Sequence, residues 1–192
     1  MLLKEIMSLD HGNIVKISTW EHSYGEGNVD VRADIKSLNL STEEEVKIGT
    51  IKLYIFDEYW DSLIVAADGC SSDTSDLVFE LLDGVENDDI EDFYRVGIID
   101  RIFIDEEYRN KGIGSFVFKQ VNFYLSEVMN SQIITLMAKP IFLDDHDELL
   151  SFKDEKKQQQ LVTWYKSFGY KQLTSEVNHL YIDARYNNLL SF

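Results

Sequence analysis

Residues 96–105, Val-Gly-Ile-Ile-Asp-Arg-Ile-Phe-Ile-Asp, are apolar on both pleat faces except at Asp100 and Arg101. An extended run with no wet face belongs in the middle of a sheet, covered on both sides. The segment 108–115, Tyr-Arg-Asn-Lys-Gly-Ile-Gly-Ser, then places two cations and two glycines where the strand gives way to a helical pattern. Val117, Val121, Tyr124, Leu125 and Val128 recur at helical spacing through about residue 129. Residues 132–138, Gln-Ile-Ile-Thr-Leu-Met-Ala, read as the next buried strand. Strand, turn, helix and strand make a β-turn-α-β unit whose crossover is expected to be right-handed.

Upstream, the pattern is antiparallel. Residues 29–37 alternate Val29, Val31, Ala33 and Ile35 with Asp30, Arg32, Asp34 and Lys36, the period of a strand with one solvated face. Residues 46–56 alternate too, with a slip of phase at Gly49–Thr50 that predicts a bulge. An earlier strand is expected over 13–20, which together predicts a meander. Residues 60–84 read as two short helices broken by Asp-Gly-Cys-Ser-Ser-Asp, with Ser72 or Asp73 capping the second and Gly84 ending it. The acidic stretch 85–93 lacks the spacing of a calcium loop and reads as a solvated turn. Residues 143–160 are polar and open a helix whose apolar face is Leu161, Trp164, Tyr165 and Phe168, with Gly169 as its stop and 179–184 as a final strand.

The 192 residues suit one domain, spanning 1–192, and 44% hydrophobic residues suffice for a core. The first residues read as part of the fold, not as a signal peptide. One cysteine, Cys70, makes neither an internal disulfide nor a metal cluster, and a cytoplasmic setting is the expectation. The net charge of −17 disfavours nucleic acid as the main partner and favours a cationic one.

Backbone N–H groups at a helix start, beside Arg109 and Lys111, favour a phosphate. Gly114 is followed by Ser115 and Phe116, which excludes the G-K-[ST] of a P-loop, and Val117 stands where a dinucleotide fingerprint has its third glycine. The pattern that fits is R-x-x-G-x-G, at Arg109, Gly112 and Gly114. It resembles motif A of the GNAT superfamily of acetyl-coenzyme-A-dependent N-acetyltransferases. Residues 164–170, Trp-Tyr-Lys-Ser-Phe-Gly-Tyr, resemble that family's aromatic-Tyr-x-x-x-Gly-aromatic signature. The resemblance covers about residues 94–185. It implies an α/β (α+β) fold with a mixed, mostly antiparallel central sheet. The family's parallel strands 4 and 5, here 97–104 and 132–138, splay apart, and helices cover both faces.

The cosubstrate implied is acetyl-CoA. Its pyrophosphate falls to the backbone of Asn110, Lys111, Gly112, Ile113, Gly114 and Ser115, with charge from Arg109 and Lys111. Ile102, Phe103 and Ile104 are implied along the pantetheine arm, the backbone groups of Phe103 and Ile104 pairing with it as an added strand would. A lysine-like amine has a pKa near 10.4, so holding it neutral at pH 7 costs roughly 4–5 kcal/mol, and a base must take the proton. The departing thiolate leaves better if a donor meets it, and Tyr165 occupies the family's tyrosine position. Asp100 is the first candidate base, sharing a pleat face with Ile102 and Ile104, although an ion pair with Arg101 competes. Glu80, Asp76, His146 and His179 are weaker candidates.

The resemblance leaves the acceptor unassigned. Charge points to a small polycation or a lysine-bearing protein, and the loop 141–157, with Asp144, Asp145, Asp147 and Glu148, is expected beside the site. The order departs from most GNAT chains, since both helices follow the early strands instead of interrupting them. Two rival readings are a non-catalytic module that senses CoA or acyl-CoA, and an enzyme acetylating charged tRNA, which the charge disfavours. The apolar end, 187–192, packs in the domain or at a homodimer interface.

Overall fold

The computed structural model describes residues 6–8, 13–24, 27–57, 60–86, 92–143, 149–173 and 178–186. Four strands come first: β1 (Ile6–Ser8), β2 (Asn13–Tyr24), β3 (Asn28–Asn39) and β4 (Glu45–Phe56). Helices α1 (Trp60–Asp68) and α2 (Ser72–Glu86) follow, then β5 (Val96–Ile104), α3 (Ile113–Phe123) and β6 (Ile133–Met137). A hairpin of β7 (Ile141–Leu143) and β8 (Leu149–Ser151) precedes α4 (Glu155–Lys166), β9 (Lys171–Gln172) and β10 (His179–Asp183). Among the described residues no helix is long and apolar enough to cross a membrane.

The main sheet runs β1-β2-β3-β4-β5-β6-β10-β9. Among the described pairings only β5 with β6 is parallel; the rest are antiparallel. Leu53 and Ile55 of β4 turn one way, into a core with Val117, Phe118 and Val121 of α3 and Val162 of α4. Tyr54 and Phe56 turn the other way, onto Leu63 of α1 and Leu77, Leu81 and Val85 of α2. Helices therefore cover both faces, and the sheet class is the one the resemblance implied.

Several local readings are corrected. The slip in β4 is a bulge at Ile48, one residue before the expected place: Gly49 lies opposite Ile35, but Lys47 lies opposite Lys36. Gly49 itself answers a close approach, because a Cβ there would stand 2.2 Å from the Phe103 carbonyl oxygen. The cap of α2 is Ser71, whose Oγ accepts the Thr74 N–H at 3.2 Å. Gly84 lies inside α2, which runs on to Glu86 and buries Val85. After α3 the chain widens into a π-helical turn, Tyr124–Val128, which leaves Val128 59% exposed instead of on the apolar face.

Helix α4 starts later than the polar run suggested, where Asp154 accepts the Lys157 N–H at 3.0 Å. The residues before it form the β7–β8 hairpin, with Phe142 opposite Leu150. His146, the acids Asp144, Asp145, Asp147 and Glu148, residues 87–91 of the acidic stretch and the end 187–192 lie outside the described residues.

Candidate functional site

The site starts from a second bulge. Lys52 of β4 lies opposite Arg101, while Leu53 lies opposite Ile99, so Asp100 is the extra residue of β5. The parallel pairing with β6 covers only Val96–Ile99, against Ile133–Leu136. Beyond Ile99 the strand keeps β4 on one side, and among the described residues its other edge has no strand partner. Asp105 donates its N–H to the Ile48 carbonyl at 2.9 Å, on the β4 side. Alternation along an antiparallel pair then turns the peptide groups of Phe103 toward β4, and those of Ile102 and Ile104 toward the open edge. The edge open to an extended ligand is thus the peptide groups of Ile102 and the N–H of Ile104, whose carbonyl accepts from Arg109, and not those of Phe103.

A cleft of about 990 Å³ occupies this opening. Its walls include Ile98–Glu106 on β5 and beyond, Met137 at the end of β6, Lys139–Phe142 after it, and Ser151 and Phe152 of the hairpin side. One end reaches Arg109, Asn110 and Gly114 with Leu161, Trp164 and Tyr165 of α4. The other reaches Asp73, Thr74 and Leu77 of α2. Since α2 and α4 cover opposite faces, the cleft passes through the sheet where β5 and β6 part.

The glycine turn stands at the first end. Asn110 and Gly112 both have positive φ, 60° and 79°, the left-handed conformation that glycine adopts at no steric cost. Gly112 is the N-cap of α3, and no side chain caps that helix. The first intrahelical bond is Phe116 N–H to the Gly112 carbonyl at 3.1 Å, which leaves the preceding amides of the first turn to an external acceptor. Ile113 anchors the helix start in the core at 1% exposure. Gly114 lies on the cleft wall, and a Cβ there would find nothing nearer than Ile104 Cδ1 at 3.8 Å.

Arg109 folds back along the strand end. Its Nε donates to the Ile104 carbonyl at 2.8 Å, and its guanidinium lies 5.4 Å from the centre of the Phe103 ring. Lys111 is exposed, 5.3 Å from the centre of the Tyr108 ring, and with Gly112, Ile113 and Ser115 is not among the cleft-lining residues.

Tyr165 reaches the cleft from α4. Its ring packs against Phe118 and Trp164, at 5.1 and 4.9 Å between centroids. Burial pushes its pKa up to about 12. Asp100 also lines the cleft, but on the other side of the sheet from Ile102 and Ile104. The bulge reverses the alternation, so Asp100 and Arg101 both turn to the face of Lys52, whose ammonium lies over Tyr54 on the α2 side. There Asp100 accepts from Arg101 Nε at 3.1 Å and lies 3.7 Å from Lys52 Nζ.

The weaker base candidates separate from the site. Glu80 and His179 meet each other, Oε2 to Nδ1 at 2.9 Å, and neither they nor Asp76 line the cleft. Cys70 is half-buried and accepts from Asn28 Nδ2 at 3.0 Å, and burial pushes its thiol up. Sequence reading missed Lys139, Asp73, Lys157 and the aromatic hairpin wall. Lys139 and Asp73 pair at 2.6 Å between the β6 exit and α2. Phe142 and Phe152 meet edge-on at 5.5 Å, with Lys157 over the Phe152 ring. The Lys-Pro that ends the β6 run was the one available signal, since proline cannot extend the ladder.

No family model matches the chain, and no curated protein matches it in sequence. Solved structures that it resembles include a KacTA–DNA complex, at 13% identity over 81% of this chain and 69% of that one, TM-score 0.46. Another is AtaTR bound with AcCoA, at 14% identity over 84% and 71%, TM-score 0.45. A third is AtaT complexed with acetyl-methionyl-tRNAfMet, at 14% identity over 84% and 75%, TM-score 0.45. Two of the three are complexes with nucleic acid.

Proposed function

We propose that the chain is an N-acyltransferase that carries acetyl from acetyl-CoA to a primary amine by direct attack. The observation that carries this reading is the cleft through the sheet, joining an uncapped, glycine-lined helix start to a carboxylate on the opposite face. A diphosphate fits the first end, where backbone amides of Ile113, Gly114 and Ser115 and the charge of Arg109 would hold it. A narrow amide-bearing arm fits the open edge of Ile102 and Ile104, as an added strand would. The cosubstrate supplies an acetyl thioester.

The protein's own residues account for the protons. The amine nitrogen forms its bond to the acyl carbon while the carbon–sulfur bond breaks, and the amine's proton passes to Asp100, directly or through water. Arg101 and Lys52 hold that carboxylate in place. Tyr165 stays protonated across the physiological range, because burial holds its pKa at about 12. A phenol so weakly acidic serves the sulfur, whose ordinary thiol pKa is about 8.5, as a hydrogen-bond donor; solvent completes the protonation.

The test is amine-dependent release of CoA by the full chain, alongside direct titration with acetyl-CoA. Binding with turnover supports the enzyme. Binding without turnover of any amine leaves the non-catalytic sensor, and absence of binding overturns both.

A further inference from the structure

We infer that the acceptor carries an anionic group, a carboxylate, beside its amine, which makes it an amino acid or a similar small amino carboxylate and not a polycation. This rests on the acyltransferase reading and names the substrate class for the α2 end of the same cleft. The whole chain has 35 acidic residues against 18 basic ones. Among the described residues the cleft lining does not share that excess: four acids, Asp73, Asp100, Asp105 and Glu106, face four bases, Arg101, Arg109, Lys139 and Lys157. At the α2 end the balance tips further. Arg101 and Lys139 line it, Lys52 stands behind Asp100, and among the described lining residues Asp73 and Asp100 oppose them. A pocket lined by paired cations on so acidic a chain offers an anionic group a place that the rest of the surface does not.

The two lining cations have capacity to spare. Asp100 engages Arg101 through Nε, and a guanidinium has four further N–H donors. The Lys139–Asp73 pair is solvated, with side chains 33% and 47% exposed. An ion pair that exposed contributes little, so an incoming carboxylate displaces or joins it at small cost. Asp100, beside Arg101, then receives the ammonium end of the acceptor, and the lining cations receive its acid.

The experiment is ligand-observed NMR of the full chain with CoA present, using the twenty L-amino acids, their α-carboxamides and spermidine as probes. Wild type is expected to bind at least one amino acid more tightly than its amide, and to prefer it to spermidine. Lys139→Gln is expected to weaken that binding by about tenfold, the value of one hydrogen bond to a charged group. Asp73→Asn breaks the same ion pair but leaves the lysine, so it is expected to bind the amino acid as well as wild type or better. Equal binding of acids and amides, preference for spermidine, or equal losses in the two variants would overturn the inference. Binding of acetyl-CoA with no amino acid bound overturns this inference alone, whereas failure of acetyl-CoA to bind overturns the acyltransferase reading.

Discussion

Ile99 of β5 lies opposite Leu136 of β6, and that is the last position the two parallel strands share. The next residue, Asp100, is the one that β4 cannot match. The parting of the strands and the bulge thus fall at the same place. The bulge bends β5 away and turns a carboxylate toward α2, and the freed edge of Ile102 and Ile104 becomes the wall of a cleft.

Gly112→Ala is expected to destabilise the protein by about 1–2 kcal/mol, the cost of a side chain in the left-handed conformation. It also disturbs the first turn of α3, so acetyl-CoA should protect it poorly. Thermal shift measures both effects: ligand at a hundred times its Kd adds about 2.7 kcal/mol to a competent site. Undiminished protection would place the coenzyme elsewhere.

Gly114→Ala should separate binding from folding. Its φ is not positive and the new methyl meets ordinary contacts, so the helix gains up to about 1 kcal/mol while the methyl intrudes on the cleft. The expected result is a higher Tm with a weaker Kd for acetyl-CoA. A higher Tm with unchanged Kd would remove Gly114 from the binding wall.

Tyr165→Phe is expected to lower kcat and leave KM for acetyl-CoA nearly unchanged, because the hydroxyl acts as sulfur departs. Stability should also shift with pH. Between pH 10, where an unfolded tyrosine ionises, and about 12, where Tyr165 does, the unfolded chain sheds the proton first and stability falls. The phenylalanine variant should lose stability less steeply over that window, read by chemical denaturation at stepped pH. An identical slope would show that the hydroxyl ionises as freely in the fold as outside it.

Asp100→Asn is expected to reduce kcat by about 10²–10⁴, the usual worth of a general base, and to leave acetyl-CoA affinity intact. It also leaves Arg101 and Lys52 facing each other uncompensated, so a modest fall in Tm should accompany it. Retained turnover with a lowered Tm would reduce Asp100 to an ion-pair residue.

Phe118→Ala should cost about 3–5 kcal/mol. The ring touches Trp164, Tyr165, Phe168 and Tyr170, at 4.9–5.5 Å between centroids, and so sets α4 against α3. Near-UV circular dichroism and denaturant melts measure the loss, and a change below 1 kcal/mol would mean that the cluster repacks.

Much of the frame was legible because burial on two faces leaves a continuous apolar run, as in β5 and β6, and burial on one face leaves alternation, as in β3. The β7–β8 hairpin was not, because strands of three residues have too few positions to display a period. The sequence does not distinguish Ser71 from Ser72 or Asp73 as the cap, since three polar residues in succession each offer a side-chain oxygen, and local packing selects among them. The expected face of Asp100 was wrong for a specific reason: alternation counts residues, and one unmatched residue in the ladder reverses the count for everything before it.

The sequence by itself determined the strand–turn–helix unit, the glycines that keep its turn open, and the tyrosine on α4, because each is a local choice of residue type made by backbone geometry or periodic burial. Only the tertiary structure decided which carboxylate faces the cleft, which peptide groups line its edge, and that Lys139 and Asp73 stand at its far end. Those depend on how β4, β5, β6 and α2 come together across the sheet, and a relation between distant strands leaves no period in the chain.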